Sequence, residues 1–433
     1  MSDAADQPGG TQRTSPRHPR RLVWQREATE EPLPAPEPGI LHRARVAAVA
    51  RWVLLPPWAQ ALVVFAVSRV IGFLIIDRTG RFQPASIWSG PQPGYLGMVG
   101  LWDGDWYHRI ADNGYPRILP RNPDGLVAQN EWAFYPLYPY LTRAVMGLTG
   151  AGWPLAATIT SMLCAAGAVV LIRSVTARVA GPSLAMWTVV LFCCYPAAPV
   201  LQLAYAESLS LLVLAGLLWC LQRHRYLLAI PVVLLAGLAR PIAVPIAALV
   251  FFHLLRRWRD PERPGARTWA ALLGLSAASA VAAALWPAVA AVVTGVVSAY
   301  TDTEVAWRVS HTLVPALPWW DMSRYVLGNW VGPAVVVLVL AALAIWMTRP
   351  VARVNRGDLR TWVCCYTIYL LAVVDPFTSL ARLLLPLFPL GTVLAAASRS
   401  RAYRIAVALA FLAGQVVWVA WLWRFSPPAD WPP

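Results

Sequence analysis

Lysine is absent. All 36 basic residues of this 433-residue chain are arginine, only 21 acidic residues stand against them, and charged residues of both signs make up just 13%. A soluble domain carries about a quarter charged residues. So little charge excludes a surface that faces water on every side. The signatures of common soluble enzymes are also missing. There is no glycine-rich phosphate loop of the nucleotide-binding kind, no supportable Ser/His/Asp arrangement and no histidine pair at metal-ligand spacing. The cysteines, Cys164, Cys193, Cys194, Cys220, Cys364 and Cys365, lie inside apolar runs rather than in loops. That excludes a disulfide framework or a zinc site and marks them as small core hydrophobes.

What is present is apolar surface, 58% of the residues, with a formal net charge of +15. Such a charge could suggest nucleic acid as a partner, but the arginines are not gathered on one domain. They fall in short clusters between long apolar runs, the pattern of an all-α polytopic membrane protein. Residues 1 to 50 are rich in Pro, Arg, Glu and Ser without apolar periodicity, and they predict a disordered cytoplasmic tail. The tail is too long, and too acidic at Glu30 and Glu31, for a signal peptide, so no cleavage is expected.

Beyond it, stretches of spanning character recur at 58–76, 153–172, 182–204, 206–222, 268–292, 331–348, 361–374, 382–398 and 403–423. Between Tyr226 and Leu255 the prolines Pro231, Pro241 and Pro245, with Arg240 among them, predict two short or broken helices in a hairpin. The tail together with Arg51, Arg173, Arg178, Arg223, Arg225 and the runs Arg256–Arg267, Arg349–Arg360 and Arg399–Arg404 hold 24 of the 36 arginines. Placing all of these on the cytoplasmic side gives about eleven crossings, within a range of roughly nine to thirteen. The membrane domain then covers 51–425, with 426–433 a short tail outside. Two long connections also lie outside, 77–152 and roughly 293–330. Loops of such length tend to be functional.

The first of these loops is dense in Trp, Tyr, Asp and Gly. Its segment Leu101 to Tyr115, read as a helix from Asp103, puts Trp102, Trp106 and Arg109 on one side and sets Asp105 against Arg109 four residues on. Aromatic rings beside acids suit a sugar, whose CH faces stack and whose hydroxyls bond to carboxylates. Equally, Asp103 could be a helix N-cap and the tryptophans an interfacial belt. The segment Glu131 to Pro139 then kinks at Pro136 and Pro139 into an apolar run, Tyr140 to Leu148, expected to lie as an interfacial or re-entrant helix. Ionisable residues near or within spans, Arg69, Glu207, Arg240, Asp375 and Arg382, each need a partner, a water-filled cavity or a ligand, since a charge in the bilayer core costs at least ~2.5 kcal/mol. Glu207 could orient a sugar hydroxyl or cap its helix. Arg240 and Arg382 could hold a lipid phosphate bidentately, or pair with Asp375 or Glu207. Arg69 is expected in packing or an ion pair.

These segments carry a resemblance. Trp102-Asp103-Gly104-Asp105-Trp106-Tyr107 with Ile110-Ala111 and Gly114-Tyr115, then Phe134-Tyr135-Pro136-Leu137-Tyr138-Pro139, Tyr205-Ala206-Glu207-Ser208-Leu209 and Ala239-Arg240-Pro241 resemble the PIG-V-like mannosyltransferases. These are relatives of the second mannosyltransferase of GPI-anchor assembly, within the GT-C membrane glycosyltransferases. The likeness covers most of 58–400 and extends weakly to Arg382–Pro389. After the arginine this chain has Pro241-Ile242 where eukaryotic members carry Ser/Asn-Gly. The resemblance implies a GT-C-type helical bundle in the plasma membrane. It also implies transfer of mannose from polyprenyl-phosphate-mannose to an acceptor hydroxyl on the non-cytoplasmic face. Asp103 is then the expected catalytic base, with Asp105 the runner-up. Trp102, Trp106, Tyr107, His108, Tyr135, Tyr138, Tyr205, Glu207, Arg240 and Arg382 are the expected substrate-binding residues. Arginine to the exclusion of lysine suggests a GC-rich bacterial genome, in which the acceptor would be a lipoglycan, a glycolipid or a protein. No cofactor is expected, the alternative being a divalent cation shared by Asp103 and Asp105. The competing reading is a polytopic transporter or lipid flippase, which buried arginines and proline-broken helices also describe. Inverted repeats between the halves, common in transporters, are not evident.

Overall fold

The computed structural model describes residues 50–52, 54–262, 264–308, 314–376 and 378–425. The predicted tails, 1–50 save its last residue and 426–433, lie outside the described residues. The chain divides into two units, Met1–Leu54 and Leu55–Pro433. Of the first, residues 50–52 and 54 are described, and they are helical.

Within the second unit the described residues form helices and no strand. In chain order α1 is Pro57–Gly80, α2 Gly94–Val99, α3 Asp103–Asn113, α4 Leu137–Thr149, α5 Trp153–Ala180 and α6 Pro182–Cys194. They are followed by α7 Glu207–Gln222, α8 Tyr226–Ala239, α9 Ala243–Trp258, α10 Ala266–Thr294, α11 Ala299–Ala306 and α12 Leu317–Leu327. The last group is α13 Val331–Thr348, α14 Asp358–Val373, α15 Leu380–Leu383, α16 Pro389–Ala396 and α17 Arg401–Trp418, which continues as a π-helical turn over Val419–Trp423. Four described helices are long and apolar enough to cross a membrane: α1, α5, α10 and Arg401–Trp423. Pro182–Cys194, Glu207–Gln222, Tyr226–Ala239 and Val331–Ile345 are shorter apolar helices.

Proline placement explains the boundaries. The expected run 182–204 ends as an α-helix at Cys194 and continues through Pro196 to a 3-10 turn at Ala198–Gln202. The expected run 382–398 is likewise divided into α15, a 3-10 turn at Leu385–Leu387 and α16, because Pro386 and Pro389 lack the N–H that a helix interior needs. Pro241 forces the preceding Arg240 out of the helical region, to φ −164° and ψ 165°, so α8 and α9 form the hairpin that the prolines predict.

The buried centre lies along α5, α7 and α8. Between helices in lipid, close packing replaces the hydrophobic drive, and small residues permit it. On α5 the buried positions Ala157, Ser161, Ala165 and Ala168 form such a stripe. Gly237 of α8 lies so close to α10 that a Cβ there would stand 2.4 Å from the Ala282 carbonyl oxygen. A second, aromatic cluster docks the first long connection onto α10. Trp132 and Trp286 are buried with centroids 5.0 Å apart, the Trp286 indole donates to the Trp132 carbonyl at 3.0 Å, and the Trp132 indole donates to the Pro116 carbonyl at 2.9 Å. The connection is thus held against the bundle, and with it the first turn of α3.

Candidate active site

The first turn of α3 meets the start of α7, the α8–α9 break and α15. Trp102 precedes α3 at φ 58° and ψ −120°, a conformation a non-glycine residue adopts at a cost. Its ring packs on Trp88 and Phe425 at 4.5 and 5.8 Å. At Gly104 a Cβ would come within 3.2 Å of the Ala204 Cβ and the Val99 carbonyl, so glycine lets α3 approach the Ala204–Tyr205 segment. There the Asp103 N–H donates to the Tyr205 hydroxyl at 3.2 Å, and that hydroxyl donates to the Leu101 carbonyl at 3.4 Å.

Asp103 is the first residue of α3, and its carboxylate accepts from Arg382 at 2.7 Å. The same guanidinium nitrogen reaches Glu207 Oε1 at 2.9 Å, and Arg240 pairs with that oxygen as well. Two carboxylates and two guanidiniums therefore share one network from four separate elements. Glu207 is 4% exposed, Arg382 10%, Arg240 17% and Asp103 18%. Such charges persist out of water only in good mutual geometry. Burial pushes the Asp103 carboxyl above its ordinary range, opposed by Arg382 beside it and reinforced by Glu207. Glu207 does not cap α7, and its Oε2 has no hydrogen-bond partner among the described residues. A narrow cavity adjoins the network, lined by Glu207, Ser210, Arg240, Tyr366, Arg382 and Pro386.

The other expected residues are distributed differently. Asp105 pairs with Arg109 at 2.6 Å, and Arg109 covers the Trp106 ring at 4.7 Å. Trp106 stacks on Phe134 and meets Trp307 edge-on. Tyr107 is buried and edges against Phe134 and Tyr138. Burial pushes its phenol well above the ordinary value, with Arg240 opposing and Asp103 and Glu207 reinforcing, so it is a neutral hydroxyl near the network. His108 stacks on Trp153 and pairs with Asp112 at 3.3 Å. Tyr138 is fully buried, bonded to Ser161 at 2.9 Å. The Tyr135 hydroxyl meets Tyr300 at 3.2 Å. Asp375 pairs with Arg308 at 3.0 Å rather than with Arg240 or Arg382, and Arg69 donates to the Ala198 and Cys193 carbonyls, so it packs. Among the described residues no group of three or more His, Cys, Asp or Glu is placed to hold a metal.

Tyr366, Ser210 and the Leu383–Pro386 turn were not anticipated as part of this wall. Tyr366 donates to the Leu383 carbonyl at 2.9 Å and so fixes α15. A tyrosine in an apolar run carries no local motif, and only the fold shows what it faces.

No protein-family model and no curated relative matches this sequence. Among solved structures the chain is similar to ArnT from Cupriavidus metallidurans bound to undecaprenyl phosphate, at 16% identity and a TM-score of 0.49, covering 81% of this chain and 62% of that one. It is also similar to the oligosaccharyltransferase AglB from Archaeoglobus fulgidus in complex with an inhibitory peptide and a dolichol-phosphate, at 13% identity and a TM-score of 0.43, covering 83% of this chain and 55% of that one. The chain thus spans less than two thirds of either protein. Likeness at this level does not carry over an activity, and the chemistry has to be read from the side chains.

Proposed function

We propose that this protein is an inverting membrane glycosyltransferase that moves mannose from polyprenyl-phosphate-mannose to a hydroxyl of a lipoglycan, glycolipid or protein on the non-cytoplasmic face. In this reading the N-terminal tail is cytoplasmic, the chain crosses the plasma membrane about eleven times, and 77–152 lies outside. The observation that carries the proposal is the shared network: one carboxylate, Asp103, sits against Arg382, and Glu207 ties Arg382 to Arg240, the two arginines that a phosphate would need.

Asp103 takes the acceptor proton as the acceptor oxygen bonds to the anomeric carbon. The bond from that carbon to the phosphate oxygen breaks, and the electron pair leaves with the phosphate. Attack opposite the leaving group inverts the centre, as two carboxylates do around water in inverting glycosidases. A phosphate needs no acid to leave; it needs a cation, and Arg382 and Arg240 supply it in a water-poor setting. Charge balances, because Asp103 loses one negative charge as the phosphate gains one. Glu207 orients both arginines through Oε1 and offers Oε2 to a sugar hydroxyl. Asp105, already held by Arg109, fits a supporting role in positioning α3.

The test uses purified protein in lipid with labelled polyprenyl-phosphate-mannose and candidate lipid acceptors. Asp103→Asn is expected to lower transfer at least about a hundredfold, and Asp105→Asn to lower it only several-fold. Transfer that survives Asp103→Asn removes the assignment. Labelled lipid that changes leaflet with no transfer to any acceptor identifies a flippase instead.

A further inference from the structure

A second cavity opens at the far ends of α7 and α8 from Glu207 and Arg240. The 16 residues of α7 and 14 of α8 separate the two places by roughly 20–24 Å at 1.5 Å per residue. Including its open mouth it measures about 800 Å³, and its lining includes His224, Arg225, Tyr226, Leu228, Arg267 and Thr268.

Positive charge converges on its lining. The ion pairs nearby are Arg256 with Asp358 and Arg257 with Asp260. They leave Arg225 and Arg267 with no carboxylate at ion-pair distance among the described residues. Arg223 and Arg225 lie together over the Trp219 ring, at 4.7 and 5.6 Å. Burial, Arg257, His253 and Arg178 all push the His224 imidazole below its usual range, with Asp358 opposing, which reports the same excess of positive potential. Opposite the α7–α8 turn, α10 begins after Gly265 with no side-chain cap, so its first N–H groups add donors and a partial positive charge.

The wall is also braced. His224 sits at φ 55°, unusual for a non-glycine residue. Its Nδ1 lies 2.9 Å from the Tyr226 hydroxyl, which is 3.1 Å from His253 Nε2, and His253 Nδ1 is 2.8 Å from Asp358. This relay holds the α7–α8 turn to α14, so the basic wall is preorganised. At the rim Leu227 and Leu228 are 64% and 48% exposed.

We infer that this cavity binds a phosphate group, taken between Arg225 and Arg267 with Thr268 as a hydroxyl donor. Exposed leucines beside it suit the chains of an anionic phospholipid, while free phosphate shares the head chemistry. An arginine that serves only to orient a chain in a membrane has no need to line a cavity with a second arginine, a hydroxyl and an open helix start. The inference does not depend on the transfer reaction, because it concerns binding at the other end of the helices.

Full-length protein in detergent, titrated with phosphatidylglycerol, phosphatidylcholine or inorganic phosphate and read by native mass spectrometry, tests it. Phosphatidylglycerol is expected to be retained over phosphatidylcholine and to be displaced by inorganic phosphate. Arg225→Gln with Arg267→Gln is expected to weaken its binding by about tenfold or more, and Arg399→Gln, outside the cavity, by less than about twofold. Phosphatidylglycerol tighter than phosphate by about tenfold or more assigns a lipid headgroup, and equal binding assigns free phosphate. Equal retention of the two lipids with no binding of phosphate overturns the inference, as does equal weakening in the cavity and Arg399 variants. Should the double variant fail to fold, Thr268→Val keeps the charge and is expected to weaken binding several-fold; unchanged binding there overturns it too.

Discussion

Asp103 follows a residue at positive φ, with Arg382 at 2.7 Å and Glu207 beyond it. Its raised pKa has a consequence for stability. A carboxyl whose folded pKa exceeds its unfolded value of about 3.9 contributes most to stability below that unfolded value. The contribution is lost as pH rises through the folded pKa. At neutral pH the wild-type protein therefore bears the cost of desolvating this carboxyl, and Asp103→Asn does not. The variant is expected to be inactive yet to melt higher than wild type at pH 7, with the difference closing as the pH is lowered towards 4. A lower melting temperature at pH 7 would show that the network stabilises the carboxylate outright. Glu207 behaves oppositely, because both Arg240 and Arg382 depend on its Oε1. Glu207→Gln leaves Arg240 without its carboxylate and Arg382 with Asp103 alone, and is expected to destabilise the fold by about 3–5 kcal/mol. Denaturation in detergent checks this, and a change below about 1 kcal/mol would mean that water already screens the pair.

At the level of elements the site depends on breaks more than on helices. Arg240 points into the network because Pro241 ends α8, and Arg382 reaches it because α15 is a single turn before Pro386. The first break was legible in the sequence, where three prolines surround an arginine. The second was not: hydropathy over 382–398 reads through Pro386 and Pro389, as it does through Pro196 and Pro199 in 182–204, since averaging over a window hides the loss of single N–H groups. The helix from Asp103 and its Asp105–Arg109 pair were legible because both arise from contacts four residues apart. The pairing of Arg240 and Arg382 with Glu207 was legible as one alternative, because a charge near the bilayer core needs a partner; that Asp103 joins them was not, as it lies far from them in the chain and meets them through tertiary packing. Gly237 tests how tightly the break is held. A Cβ there would sit 2.4 Å from the Ala282 carbonyl, and backbone cannot swing aside as a side chain would. Gly237→Ala is expected to cost about 1–3 kcal/mol by overpacking. It should also lower transfer, since Arg240 lies three residues on. Wild-type melting and wild-type transfer in this variant would show that α8 slides freely on α10.

On the scale of the whole molecule, several arginines gather at one end of the helices. Arg178 closes α5, Arg223 follows α7, Arg256 and Arg257 end α9, and Arg360 lies in the first turn of α14. Asp103, Glu207 and Arg240 gather at the opposite helix ends. Positive residues mark the cytoplasmic side in a membrane protein, so this segregation predicts an orientation. On that orientation the Asp103 network, the aromatic cluster of Trp132 and Trp286, and the turn around Asp124 would lie outside, and the arginine-lined cavity inside. The arrangement suits a donor lipid presented in the outer leaflet, because the phosphate would then approach Arg382 and Arg240 without crossing the hydrocarbon core. Single cysteines in a background with the six native cysteines replaced decide the matter. Asp124→Cys and Arg259→Cys both lie at exposed positions. In intact cells a membrane-impermeant maleimide is expected to label the first and spare the second, and both should react after the membrane is broken. The reverse pattern would place the carboxylate network on the cytoplasmic face. A donor in the outer leaflet would then have no access to Asp103, and the proposed transfer would fail on topology even with every contact in the network intact.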